Sequence, residues 1–267
     1  MADLAATRFA KRGEQVLRRR LRKMFDTERS FAGIAHELVK WQAKGWRPIL
    51  FGGFLRDVMI LGPKHWPRDI DVVVGLQTTE ELERELVGAH PHRNRFGGLR
   101  CEIEKWNCDI WPLRMTWGFR QIPLEPTPTN LPRTTFLNVE AIAAELAADG
   151  EIGQIYDGGF FEAASTRILD INFEENPYPL LAAVRAILTA QNLNFSIATR
   201  LSAYILRVAE TEKSLQPFTD VQLSHYGQVR LSRQDLAHVL RALEAALRLD
   251  EPWRARSTRP EQFELWA

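Results

Sequence analysis

Apolar residues recur at helical spacing in two stretches near the start of the chain. From Thr7 to Met24, the positions Phe9, Val16, Leu17, Leu21 and Met24 mark one face; from Ser30 to Lys44, Phe31, Ile34, Ala35, Leu38 and Trp41 mark another. Gly45 follows the second stretch, where a C-cap glycine would end the helix. The texture then changes. Pro48-Ile49-Leu50-Phe51 is a short apolar run that meets Gly52-Gly53, the pattern of a buried strand entering a glycine turn. Phe54 to Leu61 suits a helix opening directly from that turn and closing at Gly62. Ile70 to Val74 reads as a strand with Asp69 and Asp71 on one face and Ile70 and Val72 on the other. A short helix is expected over Thr79 to Val87. Leu99 to Lys105 and Cys108 to Leu113 alternate as a hairpin turning near Trp106-Asn107. Beyond a proline-rich loop, helices are expected over Val139 to Ala148, Pro179 to Leu193, Ala198 to Glu212 and Ser232 to Leu249, the last with Ser232 as N-cap; Ile152 to Tyr156 reads as a strand. The pattern predicts an α/β (α+β) half with a small mixed sheet, then an all-helical half. The expected divisions are 1–45 (two helices), 46–156 (the mixed region) and 157–267 (the helical region).

Composition changes this picture little. With 45% hydrophobic and 26% charged residues the chain is expected to be a soluble protein, and a net charge of +1 announces no global field for a polyanion. The balance hides one basic run: Arg8, Lys11, Arg12, Arg18, Arg19, Arg20, Arg22 and Lys23 against Glu14 alone. That run is either a phosphate-contacting arm or a solvated helix face. Cys101 and Cys108 are too few for a disulfide scaffold and lack zinc-site spacing, so they read as reduced thiols. No apolar run approaches the roughly 20 residues that span a bilayer, and no signal peptide is evident. A cytoplasmic location and no membrane partner are expected. His90-Pro91-His92 reads as loop surface.

The chemistry concentrates between Phe51 and Val74. Carboxylates at i and i+2 on a strand point the same way and lie about 7 Å apart along it. Asp69 and Asp71 can therefore share one or two Mg²⁺ ions, which favour a few carboxylates with water and phosphate completing the shell. Gly52 and Gly53 lack Cβ atoms, so phosphate oxygens can approach the backbone N–H groups, and the helix that follows aims its positive end at the same place. Arg56, one turn in, is a candidate for the triphosphate, and Arg68 for neutralising the carboxylates.

Gly52-Gly53-Phe54-Leu55-Arg56-Asp57 followed by Asp69-Ile70-Asp71 and an apolar run resembles the DNA polymerase β-like nucleotidyltransferase superfamily. Within it, the pattern is most similar to the head domain of bacterial-type tRNA CCA-adding enzymes and poly(A) polymerases. The resemblance implies a nucleotidyltransferase head over 46–156 and a helical neck after it. It implies an ATP-like nucleoside triphosphate over Gly52 and Gly53, and a two-metal site of Mg²⁺, or Mn²⁺ in its place, on Asp69 and Asp71. Family members add a third carboxylate from a later strand. Asp109, a charge between Cys108 and Ile110, is the favoured candidate, with Glu102 and Glu104 as competitors. Further on, Asp157-Gly158-Gly159 resembles a family turn, and the segment around Arg185 resembles the neck helix, where Arg185 would meet phosphate.

Two segments depart from the family. Its Arg-Arg-Asp ribose motif corresponds here to Pro132-Arg133-Thr134-Thr135, leaving Arg133 as the nucleotide-binding candidate. Its Glu-Asp-x-x-Arg base-selecting motif corresponds to Glu175-Asn176-Pro177-Tyr178-Pro179, and a proline side chain cannot hydrogen-bond a base. At 267 residues the chain is also expected to lack the tRNA-measuring body and tail domains. The expectation is an enzyme transferring a nucleotide to an acceptor hydroxyl, an RNA 3′ end first. A protein or small-molecule acceptor, including a toxin-like or defence role, is the alternative, and a non-catalytic nucleotide- or RNA-binding module the rival class. The oligomeric state is left open.

Overall fold

The computed structural model describes residues 2–27, 29–62, 67–147 and 150–254, excepting the side chains of residues 2–9, 27, 29 and 30. The expected roles of Arg8 and Phe9 therefore lie outside the described side chains. The chain divides into two compact units. Among the described residues, the first runs through Thr135 and adds Val139–Glu162; the second takes Phe136–Asn138 and residues 163–254.

In the first unit, α1 (Ala2–Thr27) and α2 (Arg29–Ala43) lead into β1 (Ile49–Phe51), α3 (Gly53–Ile60), β2 (Ile70–Val74) and α4 (Thr79–Glu85). The strands β3 (His92–Arg93), β4 (Leu99–Ile103), β5 (Trp106–Pro112), β6 (Ile142–Leu146) and β7 (Ile152–Asp157) follow. Among the described residues they form one seven-stranded sheet in the order β3-β4-β5-β2-β1-β6-β7. Only β2 and β5 pair in parallel, so the sheet is mixed.

The apolar periodicity of the first two helices is what buries them. Val16, Leu17, Leu21 and Met24 of α1 and Phe31, Ile34, Leu38 and Trp41 of α2 are all buried. At least three described residues of the basic run are tied into the fold. Arg18 donates to the carbonyl of Ile152, Arg20 to that of Met59, and Arg22 Nε to Glu151 Oε2 at 3.1 Å. Lys11, Arg12, Arg19 and Lys23 are exposed.

Two local expectations are corrected. The alanine-rich segment expected as a helix over 139–148 is a 3₁₀ turn (Asn138–Glu140) and the strand β6; Ala148 lies outside the described residues. Its helix propensity is outweighed by strand partners on both sides, with Leu50 opposite Ala144 and Ala144 opposite Ile155. The hairpin turns at Glu104-Lys105 rather than Trp106-Asn107. Both turn residues have positive φ (50° and 71°), which matches the right-handed twist of the flanking strands. Trp106 opens β5 and stacks on Phe31 with ring centroids 4.1 Å apart. Cys101 and Cys108 face each other across this hairpin as free, buried thiols. Burial pushes Cys101 up to about 11 and Cys108 higher still, so both stay protonated.

The second unit is mostly helical. It contains α6 (Pro179–Leu193), α7 (Thr199–Glu210), α8 (Gln216–Tyr226) and α9 (Arg233–Arg248); α5 (Phe160–Thr166) begins in the first unit and ends in this one. It also holds a small sheet, β10-β9-β8, made of the two-residue strands β8 (Ile168–Leu169), β9 (Ser196–Ile197) and β10 (Trp253–Arg254). Ser232 caps α9 by accepting from Asp235 N at 3.1 Å. No described helix is long and apolar enough to cross a membrane.

Candidate active site

One row of cross-strand neighbours crosses the first unit's sheet from edge to edge. In register order it is His92, Arg100, Asp109, Asp71, Phe51, Ala143 and Tyr156. The two carboxylates at its centre sit on adjacent parallel strands, which are about 4.8 Å apart. Asp69 lies two residues before Asp71, on the same face. Glu102 pairs instead with Asn107, and Glu104 is in the hairpin turn, so it is Asp109 that register places beside Asp71.

The two halves of this face differ. Ile49, Phe51, Val73 and Ala143 are covered by Phe119 and Leu131 from the loop after β5. The half carrying Asp69, Asp71, Asp109 and Arg100 is more open, with side chains 24% exposed at Asp69, 14% at Asp109 and 55% at Arg100.

Gly52 and Gly53 make the turn beside the carboxylates. Gly52 has φ 64° and ψ −125°, a conformation that glycine adopts readily. Its N–H donates to the carbonyl of Ile142 at 3.0 Å, fixing the turn to β6. A Cβ at Gly52 would lie 3.9 Å from Asp71 Oδ2, so turn and carboxylate are neighbours. Gly52 is the N-cap of α3 and brings no side chain to cover the helix end.

Arg56 folds back under that turn rather than outward. A Cβ on Gly53 would meet its Nη2 at 3.5 Å. Its Nε donates to Asp57 Oδ1 at 2.8 Å and its Nη1 to Glu140 Oε1 at 2.6 Å. Burial opposes its charge, but Asp57 and Glu140 outweigh that effect and raise its pKa. Glu140 carries no motif that would single it out in the sequence; only the fold brings it to Arg56.

Arg68 and Arg100 neutralise the open carboxylates. Arg68 Nη2 donates to Asp69 Oδ2 at 2.7 Å. Arg100 forks onto Asp109, with Nε to Oδ1 at 3.1 Å and Nη2 on Oδ2, and its Nη2 lies 3.9 Å from Asp69 Oδ2. The bond to Asp109 raises the Arg100 pKa. Asn94 shapes the neighbouring loop by accepting from the N–H groups of Phe96 and Gly98, both at 3.0 Å, and its amide lies 3.5 Å from Asp109 Oδ1. Arg100 and Asn94 were not legible as site residues. Alternation along β4, which turns Arg100 toward the face of Asp109, was the available signal for Arg100; Asn94, in the loop before β4, had none.

Three hard oxygen donors on one sheet face suit a divalent cation of the magnesium kind. Among the described residues, however, no three such side chains already surround a common point. The arginines stand among them instead.

No family model and no curated protein matches the sequence. Solved structures do. One described as a CCA-adding enzyme in an apo form has a TM-score of 0.60 at 14% identity, covering 84% of this chain and 53% of that one. A tRNA-processing enzyme, also in an apo form, gives 0.57 at 17% identity, covering 82% and 58%. A tRNA nucleotidyltransferase complexed with a primer tRNA and an incoming ATP analog gives 0.54 at 18%, covering 78% and 61%. The chain has the nucleotidyltransferase fold. It spans little more than half the length of those chains.

Two further segments of this nucleotidyltransferase fold are used locally. Arg133 is exposed at the end of the 3₁₀ turn Leu131–Thr134; Thr134 Oγ1 donates to Leu131 O at 2.7 Å and Thr135 Oγ1 to Pro132 O at 3.1 Å. In the second unit, Asn176 Oδ1 accepts from Tyr178 N at 2.8 Å and Pro179 opens α6, so this segment builds a helix start. Arg185 is exposed on α6.

Proposed function

We propose that this chain transfers a nucleoside monophosphate from a nucleoside triphosphate to an acceptor hydroxyl, with release of pyrophosphate and with an RNA 3′ end as acceptor. One observation carries the reading: Asp71 is at once the register neighbour of Asp109 and the neighbour of the Gly52 turn. Paired carboxylates beside an uncapped, glycine-led helix start are what a triphosphate and its cations require. A solved tRNA-processing enzyme with CTP, and a tRNA nucleotidyltransferase with a primer tRNA and an ATP analog, support the choice of substrates.

Asp69, Asp71 and Asp109 would hold Mg²⁺. Bound there, the ions would supply Lewis-acid stabilisation of charge on the leaving pyrophosphate and lower the pKa of the attacking hydroxyl. The chain's own residues do the rest. Backbone N–H groups at Gly53 and the first turn of α3 hold the phosphates. Asp109 orients the acceptor hydroxyl and takes its proton while the oxygen bonds to the α-phosphorus and the bond to pyrophosphate breaks. Arg56, held by Asp57 and Glu140, keeps the turn in place from below. Arg68 and Arg100 balance the carboxylates until substrate arrives. Arg133, exposed on the first unit, and Arg185, exposed on α6 of the second, are each proposed as a phosphate contact.

The position of Arg100 favours a second reading, in which a guanidinium permanently replaces the metal and the chain binds nucleotides or RNA without turnover. Label transfer separates the two. Wild type and the Asp69→Asn/Asp71→Asn double variant are incubated with Mg²⁺, each α-labelled ribonucleoside triphosphate, and total RNA or the protein itself as acceptor. Label on RNA that disappears in the variant is the expected outcome. Label on protein or a small product would keep the chemistry and change the acceptor. Equal triphosphate binding by both proteins with no labelled product would overturn the reading in favour of the binding module.

A further inference from the structure

An in-line displacement requires the acceptor to enter opposite the leaving group. If the triphosphate lies over Gly52-Gly53, the leaving pyrophosphate is on the β1–α3 side of the carboxylates. The acceptor must then come from the other side, across β5 toward β4 and β3. A cavity of about 520 Å³ opens there, lined by the polar residues His90, His92, Arg100, Glu102 and Asn107 and by Gly88, Ala89 and Cys101. That volume lies in the range of small-ligand sites.

The register ties this cavity to the reaction centre. His92 and Arg100 continue the row that holds Asp109 and Asp71. Glu102 and Asn107 form the next pair on the same face, one step along the hairpin, about 7 Å from the Arg100–Asp109 pair. His90, His92, Arg100, Glu102 and Asn107 are all exposed, and the backbone turns sharply at His90 (φ 46°) to bring it to the rim. The lining combines donors for a phosphate (Arg100 and two imidazoles) with an acceptor for hydroxyl or amino groups (Glu102) and an amide that does both (Asn107).

We propose that this cavity binds the terminal nucleotide of the acceptor strand, with Arg100 and the histidines on its phosphate and Glu102 and Asn107 on its ribose and base. The inference rests on the transfer reading above and adds the place of the acceptor. It gives Arg100 two positions: on Asp109 when the cavity is empty, on the acceptor phosphate when it is filled.

The test uses a fluorescent short oligoribonucleotide and a fluorescent ATP analogue, titrated separately into wild type, His92→Ala and the Glu102→Ala/Asn107→Ala double variant. These positions are exposed, and circular dichroism checks that the variants fold. The expected result is oligoribonucleotide binding weakened by about tenfold, the loss of one or two hydrogen bonds, with ATP-analogue binding unchanged. In turnover, KM for the acceptor rises while KM for the triphosphate stays. Unchanged oligoribonucleotide affinity, or equal loss for both ligands, overturns the acceptor site while leaving the transfer reading intact. A wild type that binds the triphosphate but labels only protein overturns the nucleotide as occupant. A wild type that binds neither ligand overturns both proposals together.

Discussion

Arg56 is a partly buried cation, 17% exposed, held by two carboxylates, Asp57 and Glu140, and the three depend on one another. Removing the partner of a buried charge costs about 3–5 kcal/mol, and less where a second carboxylate remains. Glu140→Ala is therefore expected to lower the unfolding free energy measured by urea denaturation by up to about 3 kcal/mol and to weaken triphosphate binding through the displaced turn. Glu140→Gln, which can still accept from Arg56, is expected to lose less. Unchanged stability in Glu140→Ala would mean that Asp57 alone suffices. Arg100 stands in contrast. Its side chain is 55% exposed, so it can leave Asp109 at small cost and act as a movable counter-charge.

At the scale of elements, two glycines are required for different reasons. At Gly52 there is room for a methyl group, whose nearest neighbours would be at 3.9 Å, but φ 64° is costly for any other residue. At Gly118 the backbone has no such restriction, but a Cβ would come within 2.5 Å of the Thr134 Cβ, where the loop covering the apolar half of the sheet closes on itself. Gly118→Ala is expected to cost about 1–3 kcal/mol by overpacking and to leave triphosphate binding unchanged. Gly52→Ala is expected to cost about 1–2 kcal/mol and to lose most triphosphate affinity, because the turn itself is displaced. Thermal denaturation paired with triphosphate titration separates these outcomes.

At the scale of the whole molecule, charge is nearly balanced and no strong field gathers RNA. With Arg18, Arg20 and Arg22 held by the fold, RNA binding should rest on a few contacts near the carboxylates. The logarithm of RNA affinity is expected to fall with the logarithm of salt at a slope of about −2, corresponding to two or three phosphates on a single strand. A slope steeper than about −5 would instead bring the exposed residues of α1 into the interface. Some of this was legible in the sequence because it is local. A 3.6-residue apolar period, a strand with alternating charge, and Gly-Gly before a helix determine α1, α2, β2 and the turn at Gly52 whatever surrounds them. The tertiary structure decided the rest. The 139–148 segment has the composition of a helix, yet its residues 142–146 became a strand because β1 and β7 offered backbone hydrogen bonds. Strand pairing placed Asp109 rather than Glu102 beside Asp71, since register depends on partners far along the chain. Arg100 joined the site the same way, while Asn94 and Glu140 came to it from a loop and a 3₁₀ turn. Sequence spacing fixes which face of its own strand or helix a residue takes, whereas only long-range pairing fixes which residue it meets there.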